Sequence, residues 1–276
     1  MKFRGKMTEV LCIKQFSNII GALAKLAKDC KLRITPDKIF FTVSDGSTLE
    51  RPLAYCIIEQ AHFFNEYTVV GVSNTHNMIC LIFSPDLLAR ATANLRTSAS
   101  TKSVKMKLTN KMSPCLTFEI ESGQSRLCVH DIPVTVVPRR QWGSLEDPVL
   151  PTFDVSIDFP NFRILRTIAE RMRNINLYLE VGANSLGTLV IETRTDIVRL
   201  RTQFNDLNIN STANALPDPE KIRSVRVDVR KFVQVLASEQ LHPNKMQCDI
   251  ADGRLLHLLV MHEDVTLHYF LSHYDS

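Results

Sequence analysis

Two stretches of sequence decide the fold: residues 9–28 read EVLCIKQFSNIIGALAKLAK, and residues 161–175 read NFRILRTIAERMRNI. In both stretches apolar residues recur three or four positions apart, which predicts an amphipathic helix that packs one face into a core. The opposite face of each predicted helix carries several cations. These are Lys14, Lys25 and Lys28 in the first helix and Arg163, Arg166 and Arg173 in the second. An ordinary solvated helix surface is the alternative interpretation of either face taken alone.

The second half of the chain repeats the first in outline. In each half an extended start, the amphipathic helix, a group of alternating strands, a second helix and further strands follow one another. The second helices are predicted at about residues 85–97 and 229–240, and the first of them opens with Ser-Pro-Asp, a helix-start signal. Their cations are Arg90, Arg96, Arg230 and Lys231. Apolar and polar residues alternate at 116–120, 198–202, 256–260 and 265–269, as in half-buried antiparallel strands.

A proline-rich stretch separates the two halves. Residues 133–151, PVTVVPRRQWGSLEDPVLP, contain four prolines and the only tryptophan of the chain, Trp142. Proline removes ladder donors and stiffens the chain, so both periodicities break there. We therefore predict a first domain at 1–132, a connector at 133–152 and a second domain at 153–276. A polar stretch at 205–224 is predicted to be a long exposed loop.

Composition excludes several classes of protein. A chain of 276 residues, 45% hydrophobic, is long enough for two globular domains. No apolar run could span a membrane, and the basic N-terminus lacks the apolar segment of a secretory signal. Seven scattered cysteines without a CxxC pair predict free thiols in a reducing compartment. The net charge of +4 favours a polyanionic partner only if the cations gather on one face.

The sequence carries no recognisable catalytic motif. The patterns GxxxxGK[ST], GxGxxG, HExxH and GxSxG do not occur. Four histidines of the C-terminal hairpin, at positions 257, 262, 268 and 273, lack the converging ligand set that zinc requires. A metal-dependent nuclease would need clustered carboxylates, whereas Asp131, Asp154, Glu180 and Glu192 fall on different predicted elements. We therefore expect a non-enzymatic protein without a metal or cofactor.

Six strings of the sequence are more specific than its periodicity. They are MKFRGKM at 1–7, AKLAKDCKLRITPDK at 24–38, FFNEY at 63–67, KLTNKMSPCLTFEI at 107–120, VHDIPVTVVPRRQW at 129–142 and HEDVTLHYFL at 262–271. In order and spacing they resemble the Hus-type checkpoint protein family, the hydroxyurea-sensitive protein one family. Members of that family are subunits of the heterotrimeric nine-one-one DNA-damage checkpoint clamp, a relative of the replicative sliding clamp. The resemblance covers nearly the whole chain.

This resemblance implies an α+β, DNA sliding-clamp fold. Two tandem, similar clamp domains would each place antiparallel sheets outside and two helices inside a ring. The implied partners are two Rad-family clamp subunits in a 1:1:1 heterotrimer, an ATP-dependent clamp loader, checkpoint and repair proteins, and double-stranded DNA bound without sequence specificity. The implied location is the nucleus, with no contact to a membrane.

The implied ring also assigns sites on this sequence. Cations on the helices would meet phosphates of the enclosed duplex, a contact that carries no sequence information. The predicted DNA-binding residues are Lys14, Lys25, Lys28, Arg90, Arg96, Arg163, Arg166, Arg173, Arg230 and Lys231. Two strand edges would pair between subunits, one at Arg126, Cys128, Val129, His130 and Ile132 and the other at Ile197, Val198, Leu200, Thr202 and Phe204. Ordinary internal strands are the alternative for both.

The connector corresponds to the segment where replicative clamps dock client peptides. An exposed Trp142 would suit client docking, and a Trp142 packed against the sheet is the alternative. Two other functions stay open. A homotrimeric replicative processivity clamp has the same fold, and a metal-dependent DNA nuclease is a less favoured interpretation.

Overall fold

The computed structural model describes residues 1–44, 52–73, 75–97, 100–123, 126–210, 218–237 and 241–274. The chain divides into two compact units, Met1–Asp147 and Pro148–Ser276. Within the described residues no helix is long and apolar enough to cross a membrane. The stretch 45–51, which does not match the Hus-type pattern, lies outside the described residues.

The first unit is one antiparallel sheet with helices packed against it. Its strands run in the order β4-β3-β2-β6-β9-β8-β7-β1-β5. The strands are β1 Lys2–Met7, β2 Cys30–Ile34, β3 Lys38–Val43, β4 Ala54–Glu59, β5 Glu66–Val70, β6 Ile79–Phe83, β7 Thr101–Asn110, β8 Pro114–Ser122 and β9 Arg126–Val136. The helices are α1 Val10–Ala24, α2 Gln60–Phe63 and α3 Pro85–Thr92, and a 3₁₀ turn, Ala93–Arg96, continues α3.

The second unit repeats this plan in two sheets. Their strand orders are β10-β15-β16-β17 and β13-β12-β11-β14. The strands are β10 Val155–Asp158, β11 Tyr178–Ala183, β12 Leu189–Arg194, β13 Arg199–Phe204, β14 Arg223–Asp228, β15 Lys245–Ala251, β16 Leu255–His262 and β17 Val265–Ser272, and the helices are α4 Phe162–Arg173 and α5 Val229–Leu236. The orders β13-β12-β11-β14 and β4-β3-β2-β6 correspond strand by strand. The predicted duplication is therefore confirmed.

Each core forms between a helix pair and the sheet behind it. In the first unit α1 packs against α3, and the ring of Phe16 lies 6.4 Å from those of Phe41 and Phe118. In the second unit α4 packs against α5, and Phe159 contacts Phe162 and Phe232 at centroid distances of 5.9 and 6.5 Å. The apolar stripes read from the sequence are these buried faces.

Several elements differ from the prediction in their bounds, and one helix was not predicted. Helix α1 ends at Ala24 rather than Lys28, because the amides of Lys25 and Leu26 bond three residues back and tighten the last turn before β2. The long loop predicted at 205–224 ends earlier, since β14 begins at Arg223. The middle of this loop, 211–217, lies outside the described residues. Residues 238–240, at the predicted end of the fourth helix, also lie outside them. The single-turn helix α2 was not predicted, because four residues show no helical period.

The predicted connector belongs largely to the first unit. Strand β9 extends to Val136, so residues 133–136 are strand rather than linker. A 3₁₀ helix, Arg139–Leu145, follows at once and packs on β6 through Trp142, which contacts Cys80. The division between the units falls after Asp147.

Candidate nucleic-acid interface and subunit edges

Helix α1 exposes only a narrow line of side chains. Nine of its fifteen residues are buried, because α3 and the sheet cover most of its surface. Lys14 and Asn18 lie half-buried along the remaining line, and Lys25 is exposed at its C-terminal end. Lys28 is also exposed, but it lies in the bend before β2 and not on the helix, because α1 has already ended.

The structure adds one cation to this line. The guanidinium of Arg96, from the 3₁₀ turn after α3, lies against Gly21 in the middle of the α1 line; a Cβ at Gly21 would meet its Cζ at 3.3 Å. Glycine leaves room for the guanidinium to lie flat on the helix. A helical wheel of α1 could not show that Arg96, 75 positions after Gly21, packs on this helix. The only hint in the sequence was the glycine itself, a small residue within the polar stripe of α1.

The helix pair α1 and α3 is fixed by a buried polar contact. The hydroxyl of Ser17 donates to the carbonyl of Thr92 at 2.8 Å, and the Thr92 hydroxyl donates to Leu88 O of the same helix at 2.9 Å.

The remaining predicted cation of α3, Arg90, is exposed and bonded to Asp86 at 2.6 Å. This i,i+4 partner offsets the Arg90 charge, so Arg90 contributes less positive potential than Arg96.

Helix α4 buries one face and leaves cations on the other. Asn161 caps the helix by accepting from the Arg163 amide at 2.8 Å. Arg163 and Arg173 are exposed, whereas Arg166 is half-buried and bonded to Glu170 at 2.9 Å. Arg173 also suits the last helical turn, where the helix dipole favours a cation.

The cations of α5 stand at the opposite end of their helix. Asp228 caps α5 by accepting from the amides of Arg230 and Lys231. Arg230 is exposed and Lys231 half-buried. The helix dipole disfavours cations in a first turn, so stability of α5 does not explain this pair.

One predicted edge is open over most of its length. In β9, residues from Arg126 to Pro133 pair with β8, and only residues from Val134 to Val136 pair with β6. On the other side of 126–133 no strand pairs within the described chain. Cys128 is exposed, and Leu127 and Val129 are 60% and 50% exposed. His130 is half-buried and Ile132 buried, because their side chains point towards the core.

The other predicted edge is shorter than expected. Strand β13 pairs only with β12 among the described strands, and it begins at Arg199. Ile197 and Val198 therefore lie in the turn before the strand, where the Thr195 amide donates to Val198 O at 2.8 Å. Within the strand, Leu200, Thr202 and Phe204 are half-buried on one face.

Trp142 does not present its ring to solvent. The side chain is 8% exposed, packs with Cys80, Val137 and Leu145, and donates its indole N–H to Val137 O at 3.0 Å. Of the two alternatives for Trp142, the structure shows the packed one, in which the indole anchors the connector to β6. A groove of about 400 Å³ beside it is lined by Lys31, Ile82, Val137, Arg140, Gln141, Gly143 and Leu145.

A second anchor, at Asp147, was not foreseen. Its carboxylate accepts from the Tyr55 hydroxyl at 2.5 Å and from Arg33, whose guanidinium stacks 3.9 Å from the ring centroid of Phe40. Partial burial opposes ionisation of Asp147, but the hydrogen bonds from Tyr55 and Arg33 outweigh it and hold its pKa below the usual value. The connector is thus fastened by Trp142 within its 3₁₀ helix and by Asp147 just after it.

Two of the four C-terminal histidines, His257 and His268, form a hydrogen-bonded relay with Asp249. His257 Nδ1 lies 2.8 Å from Asp249, and its Nε2 lies 3.0 Å from His268 Nδ1. Because the carboxylate accepts from Nδ1–H, Nε2 accepts from His268, which fixes both tautomers. Burial, followed by the charge of the neighbouring His257, lowers the pKa of His268 to about 4. The relay is a structural element of β15, β16 and β17.

A duplicated unit with paired helices on antiparallel sheets is the architecture of the class of DNA sliding clamps. The chain is similar to the solved proliferating cellular nuclear antigen of Entamoeba histolytica, with a TM-score of 0.72, 11% identity and 99% of each chain covered. This similarity shows the fold.

The particular family follows from sequence. The family model described as Hus1-like protein matches residues 1–275, and the chain belongs to that family. It is 38% identical to the human protein named Checkpoint protein HUS1, over 98% of this chain and 99% of the relative. It is 29% identical to the Drosophila melanogaster Checkpoint protein Hus1-like, over 98% of each chain. The resemblance seen in the sequence is therefore confirmed.

Proposed function

We propose that this chain is a non-enzymatic subunit of a heterotrimeric checkpoint clamp that encircles DNA at damage sites and serves as a platform for signalling and repair proteins. The match to the Hus1-like family over residues 1–275 carries the proposal. The sliding-clamp fold supports it independently. The ring would act in the nucleus, where an ATP-dependent loader would place it on DNA.

In this proposal the cations on the helices contact the DNA. Lys14, Arg96 and Lys25 lie along the line exposed by α1, and Arg163 and Arg173 are exposed on α4. Exposed lysines and arginines attract phosphates without reading bases, so a ring can bind firmly and still slide. Arg90 and Arg166 contribute less, because Asp86 and Glu170 offset their charges.

Assembly falls to the two open edges. Unpaired strand edges normally invite aggregation, and a ring satisfies them by pairing each with a neighbouring subunit. Strand β9 offers residues 126–133, and β13 offers its outer side from Arg199 to Phe204. Two different edges allow two different neighbours, the Rad-family subunits.

Client docking falls to the groove beside the connector rather than to the indole of Trp142. The groove has an apolar floor from Ile82, Val137 and Leu145 and a cationic rim from Lys31 and Arg140. An apolar side chain of a checkpoint or repair protein would fill it. Trp142 and Asp147 support this site by holding the connector in place.

Assembly in solution tests the proposal. The chain alone should behave as a monomer in light scattering at nanomolar to micromolar concentration, and addition of both Rad-family subunits should give a 1:1:1 particle. Val129→Lys, which places a cation on the open β9 edge, should prevent that particle. Val72→Lys, which changes an exposed valine just after β5, is the matched control.

The homotrimeric replicative clamp is the second candidate, because a solved structure of the same fold is a proliferating cellular nuclear antigen. A stable self-trimer that ignores the Rad-family subunits would favour it and contradict the heterotrimer. Cleavage of labelled DNA with Mg²⁺ or Mn²⁺, lost on mutating one carboxylate, would favour the nuclease instead.

A further inference from the structure

The outward face of the first unit's sheet carries five cations on two neighbouring strands. We call these residues the cationic strip: Lys2, Arg4 and Lys6 on β1, and Lys105 and Lys107 on β7. They alternate with residues of the opposite face, such as Phe3 and Met106, which are buried. None of the five belongs to the predicted DNA-binding set.

The strip lies on the side of the sheet away from the helices. Met106 is directly opposite Phe118 on β8, and the ring of Phe118 contacts Phe16 of α1. Side chains one position away point to the other face, so Lys105 and Lys107 point away from α1. The strip is therefore separate from the cations of the helices.

Like charges face each other directly within the strip. Arg4 is the cross-strand neighbour of Lys107, and Lys6 is the neighbour of Lys105. Directly opposed like charges destabilise a sheet, so packing does not explain this arrangement. Among the described residues, three carboxylates on the adjoining strands face the five cations: Glu66 on β5 and Glu119 and Glu121 on β8, of which Glu121 accepts from Ser103 and the other two bond cations of the strip.

These carboxylates lie on the two sides of the strip. Glu66 on β5 bonds Lys6 at 3.2 Å and Arg4 at 3.4 Å, and Glu119 on β8 bonds Lys107 at 2.7 Å. The hydrogen bond from Lys6, with its charge, keeps the pKa of Glu66 below the usual value. An excess of positive charge remains along β1 and β7.

We propose that the cationic strip binds an acidic, extended peptide segment of a partner protein. Neighbouring strands are about 4.8 Å apart and alternate residues about 6.8 Å apart, so the cations form a regular grid. An extended peptide presents alternate side chains at the same 6.8 Å repeat, which lets successive carboxylates meet Lys2, Arg4 and Lys6. Charge-assisted hydrogen bonds to carboxylates are the stronger kind.

The flanking residues favour a peptide over duplex DNA. A single chain fits between Glu66 and Glu119, whereas a duplex, wider than two strands, would bring phosphates over these carboxylates. At one end of the strip Val70 is 53% exposed and lies opposite Lys2. An apolar side chain of the segment would contact Val70.

Fluorescence anisotropy with two probes tests the proposal on the full chain. One probe is a labelled twelve-residue peptide with glutamate at every second position and serine between, and the other is a labelled DNA duplex. The strip variant, Arg4→Gln with Lys105→Gln, keeps the Lys6–Glu66 and Lys107–Glu119 pairs. The control variant, Lys28→Gln with Arg173→Gln, removes the same charge at two exposed residues of the predicted DNA-binding set.

The strip variant should weaken peptide binding about fivefold to tenfold and leave duplex binding within twofold, since each exposed contact is worth at most about a fivefold change. The control variant should do the reverse. If both variants lose the same amount of peptide affinity, the effect is one of net charge alone. If the strip variant loses as much duplex affinity as peptide affinity, the strip is a DNA-binding surface. Either result overturns the proposal. Failure of wild-type protein to bind the peptide at low salt also overturns it. Failure of the control variant alone to affect duplex binding would contradict the DNA contact instead.

Discussion

Replacement of Trp142 by alanine should destabilise the first unit. The indole is 8% exposed and packs between β6 and the connector, so truncation removes a large buried surface and leaves a cavity. Trp→Ala changes at such sites cost about 3–5 kcal/mol. The change also leaves the Val137 carbonyl without its 3.0 Å donor.

Trp142→Phe separates these two contributions. Phenylalanine keeps most of the apolar contact but has no N–H, so the expected loss is about 1–2 kcal/mol, the cost of an unsatisfied buried acceptor. Urea unfolding followed by circular dichroism measures both variants. In wild-type protein this single tryptophan also reports its own burial by blue-shifted fluorescence. A cost below 1 kcal/mol for Trp142→Ala, or solvent-like emission from native protein, would refute the anchoring role.

The side chains of His268 and Asp147 and the close contact at Gly21 can each be tested by one substitution. The pKa of His268 is about 4 in the folded state and about 6.5 in the unfolded state, so between these pH values the folded state binds fewer protons. The free energy of unfolding should therefore fall by up to about 3 kcal/mol as the pH drops from 6.5 to 4. His268→Gln should remove most of this pH dependence. Asp147→Asn should increase amide hydrogen exchange in residues 139–145 and weaken client binding without unfolding the sheet. Unchanged exchange would show that the Tyr55 and Arg33 contacts do not hold the connector. Gly21→Val should push the Arg96 guanidinium off α1 and weaken duplex binding. Gly143→Val, where an added side chain meets open space without a positive φ, should leave duplex binding unchanged, so equal duplex affinity in both variants would contradict the role of Arg96.

The spacing of apolar residues predicted the helices and strands that bury one face and expose the other. The apolar stripes of α1 and α4 place Phe16 and Leu165 in their cores, and both are fully buried. The alternation at 116–120 and 198–202 located the strands β8 and β13. These features follow from local sequence, because burial of one face imposes a period on the residues themselves.

Contacts between distant residues could not be predicted in this way. Arg96 reaches Gly21 and Asp147 reaches Arg33 only after the chain has folded. Trp142 was ambiguous for the same reason, because a proline-rich stretch has no period to show which side chain is buried. The cationic strip also escaped notice, since strand pairing brings β1 and β7 together across about 100 residues.

A salt titration of DNA binding measures whether the predicted cations meet the phosphates of the duplex. The trimer formed by wild-type chain is compared with one in which Lys14, Lys25, Lys28, Arg96, Arg163 and Arg173 are all glutamine. Each phosphate contact contributes about −0.9 to the slope of log affinity against log salt. The variant trimer should lose up to about five units of slope, equally for every duplex sequence, while remaining assembled. An intact variant trimer with an unchanged slope would contradict the account, and the cations would then be solvated surface charges.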